Sequence, residues 1–326
     1  MTSTHDSSIQ VGVLSFHNSK ETKAILNAVE DLGHDPVWFR EENTRAQVID
    51  DTGRLSPDVD VVVNRLLLTN DDHPLEDLEI ANVLAGVRPM LNPPDAVMTA
   101  MHKYATAVRL ADSDIPTPDS YLGLSVDRLK EGEDHIPGPL VQKTEVGTYV
   151  DTTWKLDGDS APAPTVGHRR TFLQRFLDQN EEQHDVRVYV VGDEVVGAMR
   201  RSAPDDDWRT NVARGGSTRD VTADLPDEVT EFAREAADVL GLDVAGVDLM
   251  AVDGEWHVIE VNPTAGFKGL YGATGRSVAP HIARRAIETA GGTVPDDRVD
   301  ELASQLDDSI PDCKPARPGE ADGKST

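Results

Sequence analysis

Three oxygen-bearing side chains, Asp248, Glu260 and Asn262, lie on two apolar segments of the sequence, GVDLM and IEVNPTAGFKG. Alternation along a strand places Glu260 and Asn262 on one face, so pairing of the two segments would bring all three side chains together. Magnesium prefers one or two carboxylates plus nucleotide oxygens to an all-protein cage. The spacing therefore predicts a Mg²⁺ (or Mn²⁺) site that holds a nucleotide phosphate.

A purely structural explanation exists for each of these residues alone. Asp248 could end a strand and cap a turn, and Asn262 with Pro263 could begin a loop. This explanation does not account for both apolar segments, AGVDLMAV and WHVIEVN, carrying an acid, because an unpaired buried carboxylate is costly. Metal binding is the preferred interpretation.

Positive charge is concentrated between residues 169 and 219, where nine of the 22 arginines lie. Arginine binds phosphate and carboxylate in a bidentate manner, so such a cluster in an acidic chain indicates an anionic ligand. Arg187, Arg201 and Arg209 are the preferred ligand contacts. Three others are explained more simply as surface arginines paired with nearby acids: Arg169, Arg170 and Arg219.

Two lysines are weaker candidates. Lys143 ends an apolar run and precedes Gly147, so its ammonium could reach a phosphate over a glycine-containing loop. The alternative, a solvated lysine at a strand end, is left open. Lys103 lies in a predicted helix beside His102, where a solvated lysine and a structural histidine are the default interpretations.

Composition limits the class of protein. The chain has 326 residues, a net charge of -28 and 59 acidic residues against nine lysines, which is typical of a high-salt cytoplasm and disfavours nucleic acid and anionic membranes as partners. The single cysteine, Cys313, lies in a polar tail, so we expect neither a disulfide nor a cysteine nucleophile. No apolar run approaches the roughly 18 residues of a membrane span. We therefore expect a halophilic, cytoplasmic protein.

The hydrophobic pattern predicts an α/β (α+β) chain. Strands are expected at 10–16, 36–39, 59–63 with 66–68, 140–143 and 171–177, and helices at 20–32, 95–111, 227–240 and 278–290. A hairpin about Gly192-Asp193 is expected at 186–191 and 194–199. Four units are predicted: an N-terminal βαβ domain (1–94), a linker helix with a small central subdomain (95–177), a C-terminal subdomain with the metal site (178–294) and a polar, disordered tail (295–326).

The sequence from about residue 92 to 290 resembles the RimK-like amino-acid ligases of the ATP-grasp superfamily. The motifs that carry the resemblance are DVRVYVVGDEVVGAMRR, DWRTNVARGG, LDVAGVDLM and VIEVNPTAGFKGLYGATG. Taken together they are highly specific for the superfamily and less so for the branch, since glutathione synthetase-like ligases share part of the spacing. The resemblance implies an ATP-grasp fold with an N-terminal pre-ATP-grasp domain, and ATP bound between the last two subdomains.

The resemblance also implies roles for individual residues. Asp248, Glu260 and Asn262 match the magnesium ligands, and Arg201 would face an acyl phosphate. The residues implied to contact the nucleotide are Lys103, Lys143, Arg175 and Phe176 within the adenine-binding segment 174–177, Asp185 near the ribose, and Arg209 and Asn211 near the phosphates. Two features depart from the family pattern: the segment after Lys143 has a single glycine, and Arg175 stands where many members have an acid.

The expected activity is ATP-dependent amide bond formation through an acyl phosphate, with glutamate or another amino acid joined to a small-molecule or C-terminal carboxylate. No side-chain nucleophile is required, which agrees with the lack of a plausible catalytic cysteine, serine or histidine arrangement. Two alternatives stay open: a catalytically silent nucleotide-binding regulatory module, and phosphoryl transfer without ligation. We expect ATP and Mg²⁺ as cofactors, an amino acid and a carboxylate acceptor as partners, and a homo-oligomer as one possible assembly.

Overall fold

Three sheets of four or five strands follow one another along the chain, and a two-stranded sheet accompanies the first. The computed structural model describes residues 8–68, 73–146, 153–156, 162–166, 169–179, 183–204, 207–210 and 216–305. Within these ranges no helix is long and apolar enough to cross a membrane. The sheets succeed one another in the order of the predicted units, whose boundaries at 94, 177 and 294 stay predictions.

The N-terminal part of the chain forms a parallel sheet with two helices and a separate hairpin. Its elements are β1 (Gln10–Leu14), α1 (Lys20–Asp31), β2 (Asp35–Phe39), β3 (Arg45–Ile49), β4 (Thr52–Ser56), β5 (Val61–Asn64), α2 (Pro74–Ala85) and β6 (Met90–Leu91). The strand order is β2-β1-β5-β6, and β3 pairs only with β4. The carboxyl ends of β1 and β5 therefore border a topological switch point, where open α/β sheets bind ligands.

Local sequence explains most of this sheet. β1 and β5 are buried apolar runs, as parallel strands covered on both faces require. Ser19 caps α1 by accepting a hydrogen bond from the N–H of Thr22. Residues 66–68, predicted to extend the third strand, lie outside it. The side-chain oxygen of Asn64 accepts a hydrogen bond from the N–H of Leu66 at 3.2 Å and so ends β5 in a turn.

The helix predicted over 95–111 is two helices, α3 (Pro94–Met101) and α4 (Lys103–Ala111). His102 between them has an extended backbone, with ψ at 97°. The N–H of Lys103 donates to the carbonyl of Glu145 at 2.9 Å, and the Thr106 hydroxyl donates to the carbonyl of Thr99. These bonds hold the break, so Lys103 begins a helix instead of lying within one.

The middle of the chain forms a small antiparallel sheet with one helix. Its elements are β7 (Ser120–Tyr121), α5 (Val126–His135), β8 (Leu140–Thr144), β9 (Thr153–Leu156), β10 (Thr165–Val166) and β11 (Arg169–Arg175). The strand order is β10-β11-β8-β9, with β7 also pairing β11. Leu129, Ile136, Leu140 and Leu173 form its core. The predicted strands at 140–143 and 171–177 are confirmed as β8 and β11, although β11 ends at Arg175.

The C-terminal part forms a five-stranded antiparallel sheet with helices on both faces. Its elements are β12 (His184–Val191), β13 (Glu194–Ser202), β14 (Ser217–Asp220), a 3-10 helix (Thr222–Asp224), α6 (Asp227–Val239), β15 (Val244–Val252), β16 (Glu255–Asn262), α7 (Lys268–Thr274), α8 (Ala279–Thr289) and α9 (Asp296–Ser304). The strand order is β14-β13-β12-β15-β16. The predicted β12–β13 hairpin is confirmed, and Gly192 takes the left-handed conformation (φ 61°) that its turn needs.

Alternation along β12 separates two hydrophobic cores. Val188 and Val190 face α6 and the residues of α3 and α4, whereas Tyr189 and Val191 share a core with α8, α1 and β1. Burying each side chain of this size stabilises the fold by about 1.5–3 kcal/mol. The core that contains Tyr189 and Val191 joins the N-terminal and C-terminal sheets. Side chains on the Tyr189 face of β12 therefore point toward the N-terminal sheet.

Part of the tail that we predicted to be disordered is a helix. Residues 296–304 form α9, and its side chains Val299, Leu302 and Ala303 are buried. Apolar residues at i, i+3 and i+4 give this acidic helix one buried face, a pattern hidden by its overall polarity. Cys313 and the rest of the tail after residue 305 lie outside the described residues.

Candidate active site

A row of charged side chains crosses the C-terminal sheet. In the strand register Asp185 of β12 lies opposite Arg201 of β13, Arg187 of β12 lies opposite Asp248 of β15, and Asp248 lies opposite Glu260 of β16. Asp185 and Arg187 are two residues apart, so they share the face of β12 that also carries Tyr189. The strand pairing thus brings together the acids that the sequence placed on separate apolar segments.

Asp248 is buried and held by two arginines. The Nε and Nη2 atoms of Arg187 donate to its two carboxylate oxygens at 2.6 and 2.7 Å, and Nη2 of Arg201 lies 3.0 Å from Oδ2. Burial opposes ionisation, but the two guanidinium groups outweigh it and hold the pKa of Asp248 below its usual value. The carboxylate is therefore ionised at neutral pH, as a metal ligand must be.

Asp185 pairs with Arg201 in the same way. Nε and Nη2 of Arg201 donate to the two oxygens of Asp185, both at 2.6 Å, and the Thr210 hydroxyl donates to Oδ2 at 2.5 Å. Both oxygens of Asp185 are thus engaged within the protein. The predicted contact of Asp185 with a ribose stays a prediction. The two hydrogen bonds also allow Asp185 to orient the guanidinium of Arg201.

Glu260 and Asn262 complete the predicted metal trio. The Nζ atom of Lys103 lies 3.1 Å from Oε1 of Glu260, a pair that the break between α3 and α4 makes possible. Asn262 ends β16, and its amide nitrogen is 3.5 Å from the carbonyl of Gly246. From the residue pattern alone we expected Lys103 to be solvated, whereas the family resemblance implied that Lys103 contacts the nucleotide.

Lys143 lies on β8, facing the charged row from the middle sheet. Its Nζ donates to the Gln174 side-chain oxygen at 2.6 Å. Burial lowers the pKa of Lys143 to about 8, and Lys103 acts in the same direction, while Glu260 opposes it. An ammonium this easily deprotonated is stabilised by an incoming phosphate.

Nucleotide binding should therefore weaken as pH rises through about 8, where the free protein loses the Lys143 proton. Titration of Mg-ADP by calorimetry from pH 6.5 to 10 should show this loss, and Lys143→Arg should retain binding at the alkaline end. Lys23→Arg, a change of the exposed Lys23 on α1, is the control and should keep the wild-type profile. Identical profiles for all three proteins would contradict a phosphate-binding Lys143.

The lowered pKa of Lys143 affects the stability of the fold in the direction opposite to its effect on nucleotide binding. The unfolded chain holds the Lys143 proton up to its usual pKa of 10.5, so it binds more protons than the folded chain between about pH 8 and 10.5. The free energy of unfolding contributed by this group therefore rises over that window. Loss of nucleotide binding in alkali is thus distinguishable from unfolding.

Arg175 ends β11 and Phe176 follows it, within the predicted adenine-binding segment. The N–H of Arg175 donates to the carbonyl of Asp119 at 2.8 Å and the N–H of Phe176 donates to the carbonyl of Pro139, so both N–H groups are engaged within the protein. The ring of Phe176 packs edge-on against Trp208, with centroids 5.4 Å apart, and Lys155 Nζ lies 4.0 Å from its centre. This end of the site is aromatic, as a base-binding site requires.

Arg209 lies beside this aromatic pair. Its guanidinium donates to the carbonyl of Thr153 at 2.9 Å and stacks 5.1 Å from the Trp208 ring, while its buried Nε has no hydrogen-bond partner among the described residues. An unpartnered buried donor of this kind fits an anionic ligand. Asn211 and Gly147, both part of the predicted site, lie outside the described residues.

Two clefts meet at the acidic pair. The first lies between the middle and C-terminal sheets and is lined by Lys143, Phe176 and Arg209. The second lies between the N-terminal and C-terminal sheets and is lined by Arg187 and Asn262. Four charged residues line both clefts: Lys103, Arg201, Asp248 and Glu260.

The donor set fits a hard divalent cation. Asp248 and Glu260 face each other across β15 and β16, and Asn262 adds an amide at the end of β16. Among the residues that the structure describes, no three His, Cys, Asp or Glu side chains gather into a metal cluster. Two carboxylates with an amide suit Mg²⁺ that takes its remaining ligands from phosphates.

Some functional candidates escaped the sequence analysis. Gln174 lies in the predicted segment 174–177 and Thr210 in the motif DWRTNVARGG, but the hydrogen bonds by which they hold Lys143 and Asp185 were not predicted. Arg65 lines the second cleft from the N-terminal sheet, where the sequence offered no interpretation. Its signal was present: one arginine interrupts the otherwise apolar run that follows the buried strand β5.

The arrangement of the sheets agrees with comparison to known proteins. A family model described as a RimK-like ATP-grasp domain matches residues 100–286. The chain belongs to the RimK-like ATP-grasp family. This match confirms the resemblance read from the sequence motifs, and with it the predicted enzyme class, an ATP-dependent ligase.

Relatives of this RimK-like chain carry one recurrent name. This chain is 34% identical over 202 residues to a probable alpha-L-glutamate ligase of Xylella fastidiosa (strain M12). The match covers 60% of this chain and 66%, just under two thirds, of that protein. It is 30% identical over 269 residues to a probable alpha-L-glutamate ligase of Enterobacter sp. (strain 638), covering 79% and 88%.

The fold of this RimK-like chain is also found in a solved structure. The ATP-grasp ligase PsnB, complexed with a phosphomimetic variant of its minimal precursor, Mg and ADP, matches with a TM-score of 0.68 and 20% identity over 86% of this chain and 98% of PsnB. The likeness confirms the predicted ATP-grasp fold. The individual roles of the site residues stay predictions.

Proposed function

We propose that this chain joins an amine to a carboxylate, with ATP cleaved to ADP and phosphate. The observation that carries the proposal is the meeting of two clefts at Asp248, Glu260 and Arg201. One cleft, lined by an aromatic end and by Lys143, suits a nucleotide. The other, which opens toward the N-terminal sheet, suits the two substrates that must reach its γ-phosphate.

Different residues of the site bind the phosphates and the metal ion in the proposed reaction. Lys143 and Arg209 bind the nucleotide phosphates, while Asp248, Glu260 and Asn262 would hold Mg²⁺. Bound Mg²⁺ supplies charge neutralisation on the transferring phosphoryl group. A carboxylate oxygen of the acid attacks the γ-phosphorus and ADP leaves, which gives an acyl phosphate. The amine nitrogen then attacks the acyl carbon, phosphate leaves, and the amine loses a proton.

Arg201 is placed to serve both steps. It lies in the wall shared by the clefts, and Asp185 fixes its guanidinium from behind with two hydrogen bonds. A preorganised donor needs no reorganisation as charge develops on the phosphoryl and tetrahedral oxygens. One such donor stabilises a transition state by about 2.7–4 kcal/mol.

L-Glutamate is the amine substrate that we propose first. The curated relatives are named for glutamate, and the charged second cleft, with Arg65, Lys103 and Lys268 in its lining, suits an acidic amino acid. Family membership supports the chemistry of ligation, whereas the amine proposal rests on these names and on the charge of the cleft.

The proposal is tested by following ADP, phosphate and product together. Purified protein in high salt is mixed with ATP, Mg²⁺, L-glutamate and a panel of carboxylic acids, and products are identified by mass spectrometry. Equal amounts of ADP, phosphate and amide are expected, and hydroxylamine in place of the amine should trap the acyl phosphate as a hydroxamate. ADP without phosphate release would indicate a kinase. No ADP with any pair would favour a silent nucleotide-binding module.

A further inference from the structure

Arg65 is a buried cation to which the proposed reaction assigns no individual role. It follows β5 directly, and its N–H donates to the carbonyl of Leu14 at 2.9 Å, which fixes it at the carboxyl ends of β1 and β5. Only 7% of the residue is exposed. One terminal nitrogen donates to the carbonyl of Ala265 at 3.3 Å, and Nε has no hydrogen-bond partner among the described residues.

A guanidinium in this state is costly to the fold. Burial lowers the pKa of Arg65, with Glu21 acting in the opposite direction, so the charge is poorly solvated although it persists at neutral pH. Among the residues that the structure describes, none forms with Arg65 an ion pair of the kind that holds Arg187 and Arg201 to Asp248. Groups kept at a cost to stability are concentrated where a ligand uses them.

The surroundings of Arg65 form a ligand site by topology as well. The carboxyl ends of β1 and β5 are the switch point of the parallel sheet, and Ser19 at the start of α1 lines the same cleft. Across that cleft lie Asp248 and Glu260 on the C-terminal sheet. A molecule that reaches the acidic pair from the second cleft thus passes Arg65.

We propose that Arg65 binds a carboxylate of the substrate that is not consumed in the reaction. This inference rests on the proposed ligase function and extends it with a specificity-determining residue on the N-terminal sheet. Arginine binds a carboxylate in a bidentate manner. A phosphate is a less suitable ligand for Arg65, because Lys143 and Arg209 in the other cleft bind the nucleotide phosphates in the proposed reaction. Two substrates could supply the group: the α-carboxylate of the incoming amino acid, or a second carboxylate of the acid.

Matched probes distinguish these sources by calorimetry on protein saturated with Mg-AMPPNP. L-Glutamate is compared with its α-amide, isoglutamine, and glutarate is compared with its monoamide. We expect at least one charged probe to bind the wild type, and Arg65→Met to weaken that binding about 10- to 100-fold, as for a lost charged hydrogen bond. The corresponding amide should bind both proteins equally. Arg65→Lys should recover part of the affinity.

Arg54→Met is the matched control, since it removes an exposed arginine from the hairpin of the same part of the chain. It should bind every probe as the wild type does. A thermal melt separates binding from folding: Arg65→Met should keep or raise the melting temperature, whereas a structural arginine would lower it. If the variant does not fold, crystals of the wild type soaked with glutarate or L-glutamate should show a carboxylate against the Arg65 guanidinium.

Two results would overturn the inference: no carboxylate probe binding the wild type, or Arg65→Met retaining the preference for the charged probe over its amide. Carboxylate binding that depends on Arg65, in a protein that forms no amide with any substrate pair, would instead overturn the ligase proposal and leave Arg65 as a carboxylate-binding residue.

Discussion

Asp248→Asn should lower kcat/KM for ATP-dependent amide formation at least about a thousandfold. The change removes one of two carboxylates from the proposed Mg²⁺ site and leaves Arg187 and Arg201 without their shared anion. Loss of one charged contact to a phosphoryl transition state already costs about 2.7–4 kcal/mol, and loss of a metal ligand adds to this. The measurement is steady-state ADP release as Mg²⁺ is varied.

The control for this prediction lies in the same hairpin. Asp253 is exposed in the turn between β15 and β16 with a positive φ of 54°, which asparagine tolerates, so Asp253→Asn should keep wild-type kinetics. A variant at Asp248 with a normal kcat and a normal Mg²⁺ requirement would remove this residue from the metal site. Unfolding of the variant is checked by circular dichroism before the kinetics are interpreted.

Arg201→Met should have the second largest effect, on stability and activity together. It leaves Asp185 buried without its bidentate partner, and breaking a buried pair from one side costs about 3–5 kcal/mol. Urea unfolding should show this loss. Ligase activity should also fall by about a hundredfold or more, because the shared wall of the two clefts loses its donor.

The double variant Arg201→Met with Asp185→Asn separates these two effects. Removing the stranded carboxylate should restore most of the stability, since replacing both partners of a buried pair is often close to neutral. Activity should stay low, because the missing guanidinium is not replaced. Recovery of activity together with stability would mean that Arg201 acts only as a partner for Asp185.

The proximity of Asp248, Glu260 and Asn262 in the fold was predictable because these residues lie on neighbouring strands. Glu260 and Asn262 are two residues apart on one strand, and the β15–β16 hairpin that adds Asp248 is formed by neighbouring segments. Alternation and the cost of burying unpaired acids were sufficient to place them together. The β12–β13 hairpin was predictable for the same reason, from its Gly192-Asp193 turn.

Contacts between distant segments were not predictable. Lys103 reaches Glu260 only because the chain breaks at His102, and that break depends on Glu145, which is far along the chain. Helix propensity alone favours one continuous helix there. Arg65 is likewise a ligand candidate only because the N-terminal sheet packs against the C-terminal sheet through α8 and α1. Periodicity identifies which residues are buried, but it does not identify which distant residues they meet.

In the proposed reaction, Asp248, Glu260 and Asn262 leave their protein partners to hold a cation on the nucleotide. The direct measurement is a crystal structure with Mn²⁺ and AMPPNP, in which anomalous scattering locates the metal. We predict a peak at about 2.1 Å from oxygens of all three side chains, with the γ-phosphate beside Arg201. A nucleotide bound elsewhere, or Asp248 still paired with Arg187 and no metal beside it, would contradict the proposed site.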